Sequence, residues 1–144
     1  MDNTISGGCF CGKVRFSIQG TPIRQRACWC RDCQYLASGN ASINIAFRSQ
    51  DVSVEGELSH YESLADSGNR MRRSFCPNCG THLFSGQVAF PDYVVVRAGT
   101  LDDREIAAPQ SIIWMDSKPS WGWADPDIPH HPRHVPAVPP PVQD

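Results

Sequence analysis

The sequence lacks a stretch that could enter or cross a membrane. The first residues, Met1-Asp2-Asn3-Thr4, carry neither a basic segment nor an apolar one, so no signal peptide is predicted. No apolar run approaches the ~20 residues that a membrane helix requires. We therefore expect a cytoplasmic protein that has no membrane partner and whose thiols stay reduced.

A strong charge of one sign is also lacking. The formal net charge of the 144-residue chain is -2 at pH 7. This near balance gives no electrostatic support for a nucleic-acid partner, which a strongly basic surface would indicate. The length fits one domain, and the hydrophobic content of 40% allows only a modest core. Bound metal ions would help to stabilise such a chain.

Helical periodicity is the third absence. No window of a dozen residues holds a convincing 3.6-residue period, so little helix is predicted. Short apolar or alternating stretches predict strands, and a turn at Asp66-Ser67-Gly68-Asn69 predicts a hairpin between residues 58–64 and 70–75. The fold class predicted is mainly β, built from small sheets. The other predicted strands are residues 13–19, 41–47, 52–54, 81–84, 93–97 and 112–115.

The end of the chain differs in composition from the rest. Seven of the twelve prolines fall between Pro126 and Pro141, a density that excludes a helix or a paired strand. The sequence thus predicts a domain over residues 1–125 and an extended proline-rich tail over residues 126–144. A solvated tract is favoured over a metal role for the three tail histidines, which are His130, His131 and His134.

What the sequence does have is cysteine, in a pattern typical of metal sites. An odd number of cysteines in a reducing compartment favours metal binding or catalysis over disulfides. A structural zinc takes four ligands, and a catalytic zinc takes three with one position open. The seven cysteines form three groups, namely Cys9/Cys11, Cys28/Cys30/Cys33 and Cys76/Cys79.

Seven ligands divide as four and three. Two short pairs, Cys9/Cys11 and Cys76/Cys79, would together close one structural zinc, and the trio would hold a second zinc with an open position. Spacing alone does not forbid Cys76 and Cys79 from joining the trio instead. The trio could also be a structural site closed by a fourth ligand, or simply reduced core thiols.

The charge of the trio favours one kind of chemistry. Zinc with three thiolates carries a net charge of about -1, which makes it a weak Lewis acid and a poor generator of hydroxide. A soft ligand set favours another sulfur in the open position, where a thiol would bind as thiolate. The trio Cys28, Cys30 and Cys33 is therefore interpreted as a catalytic centre for thiol chemistry.

Other candidate residues have simpler interpretations. A solvated strand face is favoured for Arg70, Arg72 and Arg73 over an anion-binding face for a substrate carboxylate. His82 follows the last cysteine pair and is interpreted as a surface or packed residue. Three tryptophans are favoured as core or tail-holding residues over a substrate wall, and they are Trp114, Trp121 and Trp123.

The order of these cysteine motifs resembles that of the glutathione-dependent formaldehyde-activating enzyme family. The pattern C-x-C, then C-x-C-x-x-C, then C-P-x-C-G is carried by the seven cysteines and Gly80. The likeness covers roughly residues 5–132, and residues 73–81 resemble the family's zinc knuckle closely. Where many relatives place histidine between the first two cysteines of the trio, this chain has Trp29, a change that could reshape the pocket.

The resemblance implies a β-tent-like fold of zinc-stapled sheets with two zinc ions per chain. The implied structural zinc is held by Cys9, Cys11, Cys76 and Cys79, and the implied catalytic zinc by the trio. The implied activity is that of a carbon–sulfur lyase or synthase, which joins a thiol such as glutathione to a small aldehyde such as formaldehyde, giving S-hydroxymethylglutathione.

Two alternative functions are compatible with cysteine-rich sequences of this kind. A non-catalytic zinc module could bind a protein partner through its Trp- and Pro-rich C-terminal region, and it would hold two closed zinc sites. Thiol–disulfide exchange is disfavoured, because it would require a reactive C-x-x-C at a helix start, whereas the sequence predicts the cysteine pairs in β-rich turns.

Overall fold

A computed structural model of the chain describes residues 3–134. It confirms the mainly β prediction, with 39% strand and 14% helix. None of its described helices has the length and apolar character needed to span a bilayer. In chain order the described elements are β1 Ile5–Gly8, β2 Arg15–Ile18, β3 Arg24–Cys28, α1 Arg31–Leu36, β4 Ser42–Arg48, β5 Val52–Glu55, β6 Ser59–Leu64, β7 Arg70–Phe75, β8 His82–Gln87, β9 Tyr93–Arg97 and β10 Ser111–Ile113, with short 3-10 turns at Ser49–Asp51, Ala98–Thr100, Arg104–Ala107 and Met115–Ser117.

The strands form two sheets. The smaller sheet has the order β1-β2-β5, and the larger has the order β10-β3-β4-β9-β8-β7-β6. All described pairings within them are antiparallel except that between β10 and β3. The predicted hairpin is confirmed as β6 and β7, which pair from Ser59↔Phe75 to Leu64↔Arg70.

The main core lies between the two sheets. Alternation in the second strand turns Phe16 and Ile18 inward, where both are buried. The Phe16 ring meets the Phe84 ring edge-on at 5.2 Å between centroids. From the larger sheet, Ile45 and Phe47 complete this layer with no exposed surface. One face of the larger sheet is thus buried in this core.

The first part of the predicted tail runs alongside β10. The amide of Ile112 donates to the carbonyl of Pro129 at 2.9 Å, and the amide of His131 donates to the carbonyl of Ile112 at 2.8 Å. The expectation that the prolines exclude pairing is therefore wrong at His130, which forms a parallel bridge with Ile112, because a proline can accept such bonds although it cannot donate one. Residues 135–144, the rest of the predicted tail, lie outside the described residues, and the boundary at residue 125 stays a prediction.

Candidate metal and active site

Two turns bring four cysteines together. Cys9 and Cys11 lie between β1 and β2, while Cys76 and Cys79 lie between β7 and β8. Their four sulfurs lie within 4.8 Å of one another, with 3.5 Å between those of Cys9 and Cys11 and 3.8 Å between those of Cys11 and Cys76. A tetrahedron of sulfurs at ~2.3 Å from zinc has edges of about 3.8 Å. This four-cysteine cluster could therefore hold a metal ion.

Backbone amides point at these sulfurs. The Val14 amide donates to the sulfur of Cys9 at 3.2 Å, and the Asn78 amide donates to the sulfur of Cys76 at 3.4 Å. The second turn is closed by Gly80, whose amide donates to the Cys76 carbonyl at 2.9 Å and whose φ is 77°. A left-handed residue at that point favours glycine. Such amide donors stabilise thiolates, the form that binds metal.

Thr81 is a supporting residue that the sequence analysis missed. Its hydroxyl oxygen accepts a hydrogen bond from the Phe10 amide at 3.2 Å and lies 3.2 Å from the sulfur of Cys79. This contact with the Thr81 hydroxyl lowers the pKa of Cys79 to about 5. Thr81 therefore links both halves of the cluster and favours a thiolate in it.

The remaining three cysteines form a second cluster, the cysteine trio. Cys28 ends β3, Cys30 caps the start of α1, and Cys33 lies in the first turn of that helix. Their sulfurs also lie within 4.8 Å of one another, and all three side chains are buried. Within residues 3–134, no histidine, aspartate, glutamate or further cysteine joins this group as a fourth donor. Three soft donors without a fourth fit a metal ion that keeps one position open.

Hydrogen bonds hold the trio in shape. The Cys33 amide donates to the sulfur of Cys30 at 3.3 Å. The side-chain amide of Gln34 donates to the carbonyls of Trp29 at 2.8 Å and Ser117 at 2.9 Å, and so joins the turn to the segment that follows β10. Because Gln34 is buried, both bonds are shielded from water.

The three thiols share their protons unevenly. Contacts with Cys28 and Cys30, assisted by the nearby positive charge of Arg97, hold the pKa of the Cys33 thiol well below its ordinary value. Contacts with Cys30 and Cys33, together with burial, raise the pKa of the Cys28 thiol. A negative charge therefore belongs to the cluster even when some of its sulfurs are protonated.

The structure corrects one expectation about the trio. Thiol–disulfide exchange was disfavoured because no C-x-x-C was expected at a helix start, yet Cys30 and Cys33 lie at the start of α1. A six-residue helix is too short to give a periodic signal in the sequence. The third sulfur, from Cys28, still distinguishes this cluster from a simple redox pair.

Trp29 faces away from the sulfurs. Its ring is 1% exposed and packs with Ala27 and Ile112, in a cluster separate from that of the trio. It forms part of a cavity of about 410 Å³ on the other side of β3, whose rim includes the exposed rings of Trp121 and Trp123. Trp29, which stands where many relatives have histidine, therefore lines this cavity and does not face the sulfurs of the trio.

The arginines of β7 divide between the two faces of the sheet. Arg73 is buried, donates to the Ser63 hydroxyl at 2.7 Å and pairs with Asp32 of α1 at 3.3 Å. Arg70 and Arg72 are exposed, and Arg70 lies 3.8 Å from Glu62. The solvated-face interpretation fits those two arginines, whereas Arg73 anchors the helix that carries Cys33.

The histidines are packed or exposed residues. The His82 ring stacks at a tilt against Phe75, with 5.5 Å between centroids. His130 hydrogen-bonds to the carbonyl of Asp125 at 2.6 Å. In the described part of the chain, no histidine belongs to a group of three or more metal donors.

Three further arginines lie on the face of the larger sheet that carries Cys28, and they were not among the predicted site residues. Arg24 and Arg26 share the alternating strand β3 with Cys28, and Arg97 ends β9. The pattern Arg24-Gln25-Arg26-Ala27-Cys28 carried a usable signal, because residues two apart lie on one face of a strand. The position of Arg97 could not be found in this way, since it depends on how distant strands pair.

Comparison with known proteins gives a family match. A model of the family described as "Glutathione-dependent formaldehyde-activating enzyme" matches residues 4–117, a range that contains all seven cysteines. Proteins provisionally named as such enzymes in Aspergillus flavus and Aspergillus oryzae are each 32% identical over 88 residues. The matched segment covers 58% of this chain and 46% of each fungal protein, so the chain spans about half the length of these relatives.

A solved structure supports the fold. A crystal structure of a Rhodobacter sphaeroides protein superposes with a TM-score of 0.56 at 21% sequence identity. The superposition covers 72% of this chain and 96% of the bacterial one. At this level of identity the likeness bears on architecture alone.

Proposed function

The chain belongs to the glutathione-dependent formaldehyde-activating enzyme family, and on that premise we propose that it is a zinc-dependent carbon–sulfur lyase. In one direction it would join a glutathione-type thiol to a small aldehyde, and in the other it would separate them. The observation that carries this proposal is the trio of sulfurs within 4.8 Å of one another without a fourth donor among the described residues.

The reaction conserves all atoms of its substrates. The thiol sulfur adds to the carbonyl carbon, a carbon–sulfur bond replaces the π bond of the carbonyl, and the thiol proton ends on the new hydroxyl. The reverse step breaks the same carbon–sulfur bond and returns the proton to sulfur. Neither direction requires an oxidant or a reductant.

The residues of the trio fit a zinc ion. Cys28, Cys30 and Cys33 would hold it, and bound zinc supplies a Lewis acid that lowers the pKa of a coordinated thiol. The chain's own groups prepare the site. The Cys33 amide hydrogen-bonds to the Cys30 sulfur, and the charge of Arg97 favours the thiolate of Cys33. Burial of the trio limits the access of water, which strengthens these interactions.

The four-cysteine cluster has a different proposed role. Cys9, Cys11, Cys76 and Cys79 would hold a structural zinc that ties the two sheets together. The cluster already has four sulfur donors, so we assign no substrate to it.

Zinc content tests both assignments. Freshly purified protein should contain two zinc ions per chain by elemental analysis, and dialysis against glutathione should remove or displace one of them. The same preparation should accelerate the exchange between glutathione, formaldehyde and their adduct, followed by NMR. One zinc that ignores glutathione, with no acceleration, would contradict the proposal.

A second candidate is a zinc module that binds a protein partner. The cavity behind the trio favours it, because its volume of about 410 Å³ and the exposed rings of Trp121 and Trp123 offer an apolar docking surface. This function predicts two zinc ions that both resist glutathione. The zinc measurement therefore separates the two candidates.

A further inference from the structure

The sheet face that carries Cys28 also carries a set of arginines. Residues two apart on β3 share a face, so Arg24 and Arg26 lie on the same side as Cys28. Arg26 pairs with Asn44 on β4, and Asn44 pairs with Arg97 on β9. Arg26 and Arg97 therefore lie in one row across three strands, about 7 Å along the strand from the row of Cys28. Arg24, Arg26 and Arg97 are called the arginine face.

Among the described residues, these arginines have no carboxylate that pairs with them. Within residues 3–134, none of the three forms an ion pair, although Arg15, Arg70, Arg73 and Arg133 each have one. Arg97 donates to the side-chain oxygen of Asn44, a neutral partner. The Nε atoms of Arg24 and Arg97 are buried and find no hydrogen-bond partner in the described part of the chain. Burying charged donors in this way is costly unless an anion compensates them.

The electrostatics of neighbouring groups agree with an excess of positive charge. Arg24 and Arg26 lie two residues apart on one face of β3, so their like charges repel each other. Burial, followed by the charges of Arg26 and Arg24, lowers the pKa of His134. The arginine face therefore holds positive charge that is partly shielded from water, and such shielding strengthens the attraction for an anion.

We propose that the arginine face binds a carboxylate of the thiol substrate while the thiol sulfur reaches the cysteine trio. The inference rests on the proposed function, because it assigns the substrate of the same site. A zinc ion with three thiolates has a net charge of about -1 and would repel an anionic thiol. The positive charges of the three arginines would offset that repulsion, and a planar guanidinium group can donate two hydrogen bonds to one carboxylate. The site would thus select carboxylate-bearing thiols over neutral ones.

S-Methylglutathione is the probe that isolates this interaction. It keeps both carboxylates of glutathione, but its sulfur is a thioether and has no proton to lose. Calorimetric titration of the full-length, zinc-loaded protein should show binding that weakens as salt is raised. Arg26→Gln should weaken it about tenfold, as expected for the loss of one charge-assisted hydrogen bond.

Matched variants keep the test sharp. Arg70→Gln removes the same charge from an exposed site on the other face of the sheet and should leave binding unchanged. Arg97→Gln should also weaken binding about tenfold. If circular dichroism shows that this variant is unfolded, Arg97→Lys keeps the charge, loses the planar donors and should still weaken binding severalfold.

The outcomes separate this proposal from the proposed function. If S-methylglutathione binds Arg26→Gln and Arg97→Lys as tightly as it binds the natural protein, the carboxylate subsite is wrong, even where adduct exchange is fast. The subsite is equally wrong if S-methylglutathione binds neither the natural protein nor the variants. If the variants bind the probe more weakly, but in the natural protein no thiol displaces zinc or forms an adduct, the carboxylate subsite is supported and the lyase function is contradicted.

A carboxylate could also come from the carbonyl substrate. Glyoxylate, an aldehyde with its own carboxylate, tests this source in the same titration. If Arg26→Gln and Arg97→Lys weaken glyoxylate binding and leave S-methylglutathione binding unchanged, the assignment to the thiol is overturned. Weakened S-methylglutathione binding with no effect on glyoxylate supports the assignment to the thiol.

Discussion

The two cysteine clusters differ in the distance along the chain that they bridge. In the four-cysteine cluster, the contact between Cys11 and Cys76 joins residues 65 positions apart. In the trio, all three sulfurs come from six consecutive residues at the end of β3 and the start of α1. The four-cysteine cluster therefore joins distant segments of the chain, whereas the trio joins only neighbouring ones.

The arginines beside the two cysteine clusters differ in their exposure and in their partners. Arg15, beside the four-cysteine cluster, is exposed and already paired with Asp102. Arg97, beside the trio, donates to the neutral side chain of Asn44, has no ion pair among residues 3–134, and acts on all three sulfurs. The arginine beside the first cluster therefore has a carboxylate partner, while the arginine beside the second has none in the described part of the chain.

Loss of a ligand in the four-cysteine cluster should have the largest effect. Cys76→Ser removes a fully buried sulfur, and the protein should lose its structural zinc and unfold or aggregate. The net stability of a domain is only about 5–15 kcal/mol, which is comparable to the binding energy of a structural zinc. Zinc content and thermal unfolding measure the effect. A folded variant with full zinc content would show that the cluster is not structural.

The same change of sulfur to oxygen in the trio should break function and spare the fold. Cys30→Ser should lower the unfolding midpoint by only a few degrees, because the trio closes no long loop. Adduct exchange should fall by more than about 100-fold as the second zinc is lost. A loss of folding as severe as that expected for Cys76→Ser would show that the trio is structural too, and that the two clusters do not differ in role.

The ion pairs beside the two clusters give a smaller test. Asp32→Asn should destabilise the protein by about 1–2 kcal/mol, because it leaves the buried Arg73 without a counter-charge. Asp102→Asn should cost less than about 1 kcal/mol, since both its side chain and that of Arg15 are roughly half exposed. Denaturant unfolding at two salt concentrations measures both, and only the second effect should fade in high salt.

The Asp102 pair should also depend on pH in a defined direction. The hydrogen bond from Arg15 lowers the pKa of the Asp102 carboxyl in the folded state. The pair therefore contributes stability above the unfolded pKa of about 3.9, and this contribution is lost as the pH falls through the lower folded pKa. Asp102→Asn should approach the natural protein in stability in that acidic range. A difference that persists at pH 2 would mean that the carboxylate is not the source.

Sequence patterns predicted much of the fold because short-range alternation decides which residues form strands. The strand at residues 93–97, for example, is where its β-branched run predicted it. The spacing of the cysteines predicted two clusters, and the structure places Cys76 and Cys79 with Cys9 and Cys11. The spacing alone left open how the cysteine pairs combine, because that depends on which turns meet in space.

The parts of the site that could not be predicted depend on long-range register. Arg97 reaches the trio only because β9 pairs with β4, which in turn pairs with the strand of Cys28. Asp32 and Arg73 meet although they are 41 positions apart. No local pattern encodes such contacts, so the position of Arg97 and the pairing of Asp32 with Arg73 became visible only in three dimensions.

The parallel pairing of β10 with β3 has a consequence for the nascent chain. β4 follows β3 closely in the sequence, but the other neighbour of β3 is residues 111–113. All four cysteines of the first cluster have been synthesised once residue 79 is reached. Until residues 111–133 follow, one side of β3 presents unpaired amides and carbonyls next to Cys28, as an edge strand open to pairing with other chains. Self-association during synthesis is thus a hazard that the last described segment removes.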